Sequence, residues 1–219
     1  VGRSENTFSE RDSVGTPPRV FEEIIRILGP IGLDPCSHPG SLVPAQVRYY
    51  LAAYAPEGMP HGVPLPIPAR GLIPAHVAVV GSGLELPWGP GMGLVYVNPP
   101  YSVLSEAPWI LRGADTQLEF DRILGLPEKG ERKRHTAERG APDEIVWLLP
   151  VRTAGSWWQI DLWEVADAIT FLNFRVQHTG EKDPSPFHQA LAYRGPRAAL
   201  WKREAERTLG RTFLTQEAA

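Results

Sequence analysis

The sequence predicts an α/β fold built on a mostly parallel sheet. Three observations carry the prediction: apolar runs of strand length, helical patterns lying between them, and a polar or proline-bearing loop closing the runs. Gly32–Ser37, Leu94–Val97 and Ile145–Leu149 are the runs that end this way, at Asp34-Pro35, at Asn98-Pro99 and at Pro150.

Taken in order, Arg19 to Leu28 reads as the first helix, with Thr16 as its N-cap, prolines in its first turn and Gly29 as its stop. Val20, Phe21, Ile24, Ile25 and Leu28 repeat at helical spacing. The Gly32–Ser37 run reads as the carboxyl end of a buried strand, and Val43 to Ala53 as a helix. Pro56 to Pro74 is dense in proline and periodic in nothing, which predicts an irregular excursion. Val77–Val80 and Leu94–Val97 read as strands, and a helix is expected within Glu106–Asp115. Gln117 to Pro142 is charged and unpatterned; a loop of that length inside a domain is usually functional or disordered. Ile145–Leu149 is a strand and Trp157–Val165 an amphipathic helix. Ala168–Leu172 and His188–Tyr193 are strands, and Ala198–Leu209 is a closing helix.

The 219 residues suit one domain spanning 1–219, with 1–14 flexible and 56–74 and 117–142 as loop insertions. No run of about 18 apolar residues occurs, which argues against a membrane span, and Val1–Val14 lacks the apolar stretch of a secretory signal. One cysteine, Cys36, leaves no intramolecular disulfide and no multi-cysteine zinc site. His61, His76, His135, His178 and His188 show no metal-ligand spacing, so no metal is expected. The expected location is the cytoplasm. A net charge of −3 speaks against a protein that coats DNA. It leaves room for an enzyme meeting DNA through a local basic patch, for which Lys129, Arg132, Lys133, Arg134 and Arg139 are candidates beside the alternative of a solvated loop.

Asn98-Pro99-Pro100-Tyr101 is the most informative tetrapeptide. The exocyclic amine of adenine is a poor nucleophile because its lone pair is delocalised into the ring. Two acceptors, the Asn98 side-chain oxygen and the Pro99 carbonyl, would bind its two N–H groups and free the lone pair to face a methyl donor. The prolines would hold those acceptors in place, and Tyr101 would stack on a base rotated out of the duplex. Asn-Pro also starts ordinary turns. Its place after a hydrophobic strand, with an Asp-Pro loop earlier in the chain, favours the catalytic reading.

With these residues in view, the chain resembles the phage-type DNA N-6-adenine methyltransferases (Dam) of the class I S-adenosylmethionine-dependent superfamily, over roughly Thr16 to Gly210. The resemblance rests on Thr16-Pro17, Leu33-Asp34-Pro35-Cys36, Gly83-Leu84 with Trp88, Asn98-Pro99-Pro100-Tyr101-Ser102, Leu148-Leu149-Pro150 and Phe171-Leu172 through Arg175, in that order. It implies a Rossmann-like domain with helices on both faces and an antiparallel edge strand. It also implies S-adenosylmethionine as cofactor, double-stranded DNA with an adenine-containing site as partner, and a phage or bacterial host cell as setting. Thr16, Pro17, Asp34, Pro35, Cys36 and Asn98 are the implied cofactor contacts; Asn98, Pro99, Pro100 and Tyr101 are the implied catalytic residues. Two departures stand out. Ser82-Gly83-Leu84 replaces the family's frequent Asp-Gly-Leu, with Glu85 as a possible substitute for the lost acid. The Asp-Pro loop runs Asp34-Pro35-Cys36-Ser37-His38-Pro39-Gly40-Ser41 rather than as Asp-Pro-Phe-x-Gly-Ser-Gly.

Other readings stay open. The same tetrapeptide serves enzymes that methylate RNA adenine or a glutamine amide, and a nucleic-acid-binding or regulatory module that kept the fold and lost turnover is a third reading. Cys36 follows a proline, as the nucleophile of cytosine-5 methyltransferases does, but lies where cofactor would sit and reads as a small buried residue. Trp157 and Trp158 read as core, with base stacking the alternative. Arg152 and Arg175 read equally as phosphate contacts or as local caps.

Overall fold

Most strands of this chain are short apolar runs, and the sheet they build carries a buried core on each face. The computed structural model describes residues 15–50, 55–57, 77–81, 83, 84, 86, 88, 92–99, 109, 110 and 142–215. The described strands are β1 (Ile31–Ser37), β2 (Val47–Tyr50), β3 (Val77–Val80), β4 (Leu94–Val97), β5 (Glu144–Pro150), β6 (Ala168–Leu172), β7 (Gln189–Arg194) and β8 (Gly210–Leu214). They form one eight-stranded sheet in the order β3-β2-β1-β4-β5-β7-β6-β8. The first five strands in that order are mutually parallel, while β7 runs antiparallel to β5 and β6, and β8 antiparallel to β6. The expected antiparallel edge strand is thus present as β8, and β7 adds a second reversal inside the sheet.

Helices cover both faces, as expected. Helix α1 (Pro18–Leu28) and helix α3 (Ala198–Thr208) pack on the face that carries Ile31, Leu94, Tyr96, Val146 and Leu148. Helix α2 begins π-helical (Trp157–Leu162) and ends as a short α-helical turn (Trp163–Val165). With Trp88 and Trp109 it covers the face that carries Leu33, Val95, Val97, Ile145 and Trp147. Trp157 and Trp158 are buried and meet edge to face at 5.5 Å, so the core reading of this pair holds.

β1 changes phase along its length. It pairs Ile31 with Leu94 but Leu33 with Val95, so two steps on β1 match one on β4 and Gly32 is the extra residue of a bulge. A Cβ on Gly32 would lie 1.5 Å from the Met92 carbonyl oxygen, and only glycine fits there. Because side chains alternate with a period of two, the bulge puts Ile31 on the α1 face and Leu33 on the opposite one.

Three expectations are corrected. Thr16 is not the N-cap of α1: that position is Pro17, no side chain caps the helix, and the Thr16 hydroxyl is taken by tertiary contacts. Gly29, at φ 92, does close the helix. The helix expected over Val43–Ala53 is instead strand β2 with an extended approach, because Val43, Ala45, Val47 and Tyr49 are buried at every second position; residues 51–53 lie outside the described residues. The closing helix is followed by a further strand, β8, which packs on β6 through the Thr170–Thr212 hydroxyl pair at 2.9 Å. Residues 1–14, and the loops expected over 56–74 and 117–142 apart from 56, 57 and 142, lie outside the described residues. So does the basic stretch Lys129–Arg139, and all of Glu106–Asp115 except the helical pair Trp109–Ile110.

Candidate active site

In a parallel sheet, ligands sit beyond the carboxyl ends of the strands, where the strand order reverses. Here β1 turns one way to β2 and the other way to β4, so the reversal lies between β1 and β4. Asp34, Pro35 and Cys36 do not form the expected loop after the first strand: they lie within β1, which runs on to Ser37, while Asn98 directly follows β4. The Leu33–Val95 pairing sets Asp34 beside Tyr96 and brings Cys36 level with Asn98.

The Asn98 amide is anchored. Its Nδ2 donates to Thr16 Oγ1 at 3.3 Å, and that buried hydroxyl shares a second hydrogen bond, of 2.8 Å, with the Tyr96 phenol. Tyr96 is wholly buried, and burial raises its phenol well above the ordinary value, so the group stays protonated. With the nitrogen of Asn98 committed to Thr16, its Oδ1 is the side chain's acceptor. Pro99 is buried directly behind it. Tyr96 was read only as a strand residue; a phenol among aliphatic neighbours, which must find a partner when buried, is the signal that marks it.

Asp34 is buried, and its Oδ1 accepts from the Cys36 amide at 3.2 Å. Burial pushes its carboxyl up to about 6, against the lowering influence of the Ser37 hydroxyl, the Cys36 amide, the Arg48 guanidinium and the Ser41 hydroxyl. The Cys36 thiol is raised as well, by burial and then by the Asp34 charge, against a hydrogen bond with the Asn98 main chain. No thiolate is on offer, and Cys36 is partly rather than fully buried, packed against the core.

Gly83 rests against this part of β1. A Cβ there would stand 2.1 Å from the Pro35 carbonyl oxygen, while the Gly83 carbonyl accepts from Trp88 Nε1 at 2.6 Å. The Gly83 and Trp88 of the sequence pattern are thus structural supports packed on the Asp34–Pro35 stretch of β1. Ser82, Glu85, Pro100, Tyr101 and Ser102 lie outside the described residues.

The neighbouring strand ends complete the surroundings. Pro150 pairs with Gln189, and Val151 N donates to the His188 carbonyl at 2.8 Å. The Gln189 amide lies 2.9 Å from His178 Nε2. Burial lowers the His178 ring below its ordinary value, against the Gly15 main chain and Glu181, which keeps it neutral at pH 7. Thr179 N donates to Gly15 O at 2.8 Å and so straps the segment carrying Thr16 across the sheet end. Arg152 stands 5.0 Å from the exposed Phe187 ring, and Arg175 donates to the Ser185 carbonyl at 3.5 Å, a local tie.

Of the residues expected at the site, Thr16, Asp34, Pro35, Cys36, Asn98 and Pro99 come together at this reversal, with Pro17 heading α1 beside Thr16. Among the described residues no helix is long and apolar enough to cross a membrane. No protein-family model, curated protein or solved structure matches the chain.

Proposed function

We propose that this protein is an S-adenosylmethionine-dependent methyltransferase acting on the exocyclic amine of adenine in DNA. The observation that carries the reading is the meeting of Asp34, in the carboxyl half of β1, with Asn98-Pro99, which follows the adjacent parallel strand β4, at the reversal of strand order.

The residues there fit such a cofactor. A buried carboxyl at Asp34 suits a cationic ligand, and the close approach of Gly83 to Pro35 supports the part of β1 that bears it. S-adenosylmethionine, when bound, supplies an activated methyl group. Asn98 then does the orienting: with Nδ2 held by Thr16, its Oδ1 accepts an N–H of the target amine, and the Pro99 carbonyl accepts the other. Anchoring by Thr16 and Tyr96 means the acceptor is in place before the substrate arrives, so no reorganisation is needed during reaction. Tyr101, in the same motif, is assigned to stacking on the extruded base.

The test is transfer of labelled methyl to duplex DNA with and without adenine, followed by nucleoside analysis, alongside RNA and protein acceptors. N6-methyladenine is the expected product. Methylcytosine, or transfer confined to RNA or to a glutamine amide, overturns the assignment.

A further inference from the structure

The last strand of an open sheet presents a row of backbone N–H and C=O groups with which another strand can pair. The sheet ends in β8, whose partner among the described residues is β6. Two bonds just outside the strand fix the phase of that ladder: Asn173 N donates to Leu209 O at 2.9 Å, and Thr215 N donates to Asp167 O at 3.2 Å. Hydrogen-bonded and non-hydrogen-bonded positions alternate in an antiparallel pair. Arg211 and Phe213 therefore bond to β6, while Gly210, Thr212 and Leu214 turn their main-chain groups toward the outer edge.

At Thr212 that edge is occupied. Its N–H donates to Glu206 Oε1 at 3.3 Å, and its carbonyl accepts from Lys202 Nζ at 3.2 Å. The two side chains stand one turn apart on α3 and approach each other at 3.9 Å. Together they supply the acceptor and the donor that a neighbouring strand would bring. Core packing holds α3 over this spot: the buried Trp201 donates through Nε1 to the Thr170 hydroxyl at 3.0 Å, and that hydroxyl pairs with Thr212 across the ladder.

The strand behind this plug is complementary to itself. An antiparallel copy centred on Thr212 sets Thr212 opposite Thr212 as a hydrogen-bonded pair and Gly210 opposite Leu214. It also sets Arg211 opposite Phe213 on one face of the extended sheet. Arg211 and Phe213 are both exposed. A guanidinium against an aromatic ring is attractive, and two-fold symmetry makes the contact twice. We propose that β8 is a docking edge for a second copy of this chain, joined strand to strand across Thr212, and that Lys202 and Glu206 hold it shut. The inference is independent of the methyl-transfer reading.

The experiment is sedimentation equilibrium of the full chain beside the double variant Lys202→Ala with Glu206→Ala. Alanine is the most favourable helix residue, so α3 accepts it at both positions. A contact of one short strand is small for an interface, so association is followed to concentrations on the order of 100 μM. The wild type should keep the monomer mass, and the double variant should rise toward twice that mass. Adding Thr212→Pro to the double variant should restore the monomer, because proline lacks the N–H and is tolerated where that group faces away from the ladder. Hydrogen exchange reads the plug without association: Glu206→Ala alone should speed exchange of the Thr212 amide about tenfold and leave that of Phe213 unchanged. This single variant remains informative if the double variant fails to fold. A double variant that stays monomeric, a wild type that associates as strongly, a dimer that survives Thr212→Pro, or unaltered Thr212 exchange overturns the proposal.

Discussion

Thr16 and Tyr96 share a buried hydrogen bond of 2.8 Å across 80 residues of sequence, and the same threonine hydroxyl accepts from Asn98. One hydroxyl thereby couples the segment before α1 to the strand that ends in the candidate catalytic loop. Thr16→Val keeps the shape and removes the anchor. It should lower the rate of methyl transfer about tenfold or more while costing about 1–2 kcal/mol of stability. Single-turnover transfer measured beside urea unfolding checks this. A variant with the stability loss and an unchanged rate would reduce Thr16 to a packing role.

Asp34 makes a pH prediction with a definite sign. Its carboxyl titrates at about 6 in the folded chain against 3.8 as the ordinary value, so the fold favours the protonated form. Stability from this group is complete below 3.8 and declines as pH rises to about 6. Asp34→Asn cannot titrate, so its stability relative to wild type should rise by up to about 3 kcal/mol between pH 3.5 and 7. A cationic ligand needs the ionised carboxylate. Donor affinity of the wild type should accordingly fall as pH drops below about 6, and that of Asp34→Asn should be flat. Urea unfolding and calorimetry at both ends of the range read the two effects separately, and a constant stability gap would contradict the first.

The opposite end of the sheet holds a separate polar knot. Glu144 accepts from Tyr193 at 2.5 Å and from Arg197 Nε at 2.8 Å and pairs with Arg197 Nη2, which also donates to the Leu28 carbonyl at 2.7 Å. This ties β5, β7, α1 and the start of α3 together. Glu144→Gln should cost about 1–3 kcal/mol and leave ligand affinity unchanged, since the knot lies at the amino end of β5. Loss of affinity without loss of stability would show the two ends to be coupled.

Gly83→Ala tests the support of the Asp34–Pro35 stretch of β1. The added methyl would meet the Pro35 carbonyl oxygen at 2.1 Å, so that stretch must move. Affinity for S-adenosylhomocysteine should fall by about tenfold or more, with Gly29→Ala, remote at the end of α1, as a control for general destabilisation. Unchanged affinity in a folded Gly83→Ala variant would mean that the ligand does not contact this stretch.

Much of this architecture was legible because each buried strand announces itself twice, by β-branched composition and by a proline or polar stop. Leu94–Val97 before Asn98-Pro99 and Ile145–Leu149 before Pro150 are the clearest cases. β2 was misread because its four residues follow a mixed stretch in which helical and alternating patterns both fit, although the two-residue rhythm from Val43 decides it. β8 was missed because Gly210–Leu214 follows the end of α3 with only Leu209 between and carries just two buried positions, at Gly210 and Thr212. At the site, the strand ends could be read locally. The roles of Tyr96 and Arg48 could not, because each depends on a partner brought in by sheet pairing.

The extra residue at Gly32 sets which side of the molecule the chemistry occupies. A strand is a two-beat ribbon, and the bulge inserts one beat just upstream of Asp34. Pairing Gly32 into a regular ladder, without the bulge, would leave every functional residue in the chain and still carry the Asp34 carboxyl through to the tryptophan-lined layer, away from Thr16 and Tyr96. The address of the site is therefore written in how β1 is counted against β4 as much as in the identities of its residues.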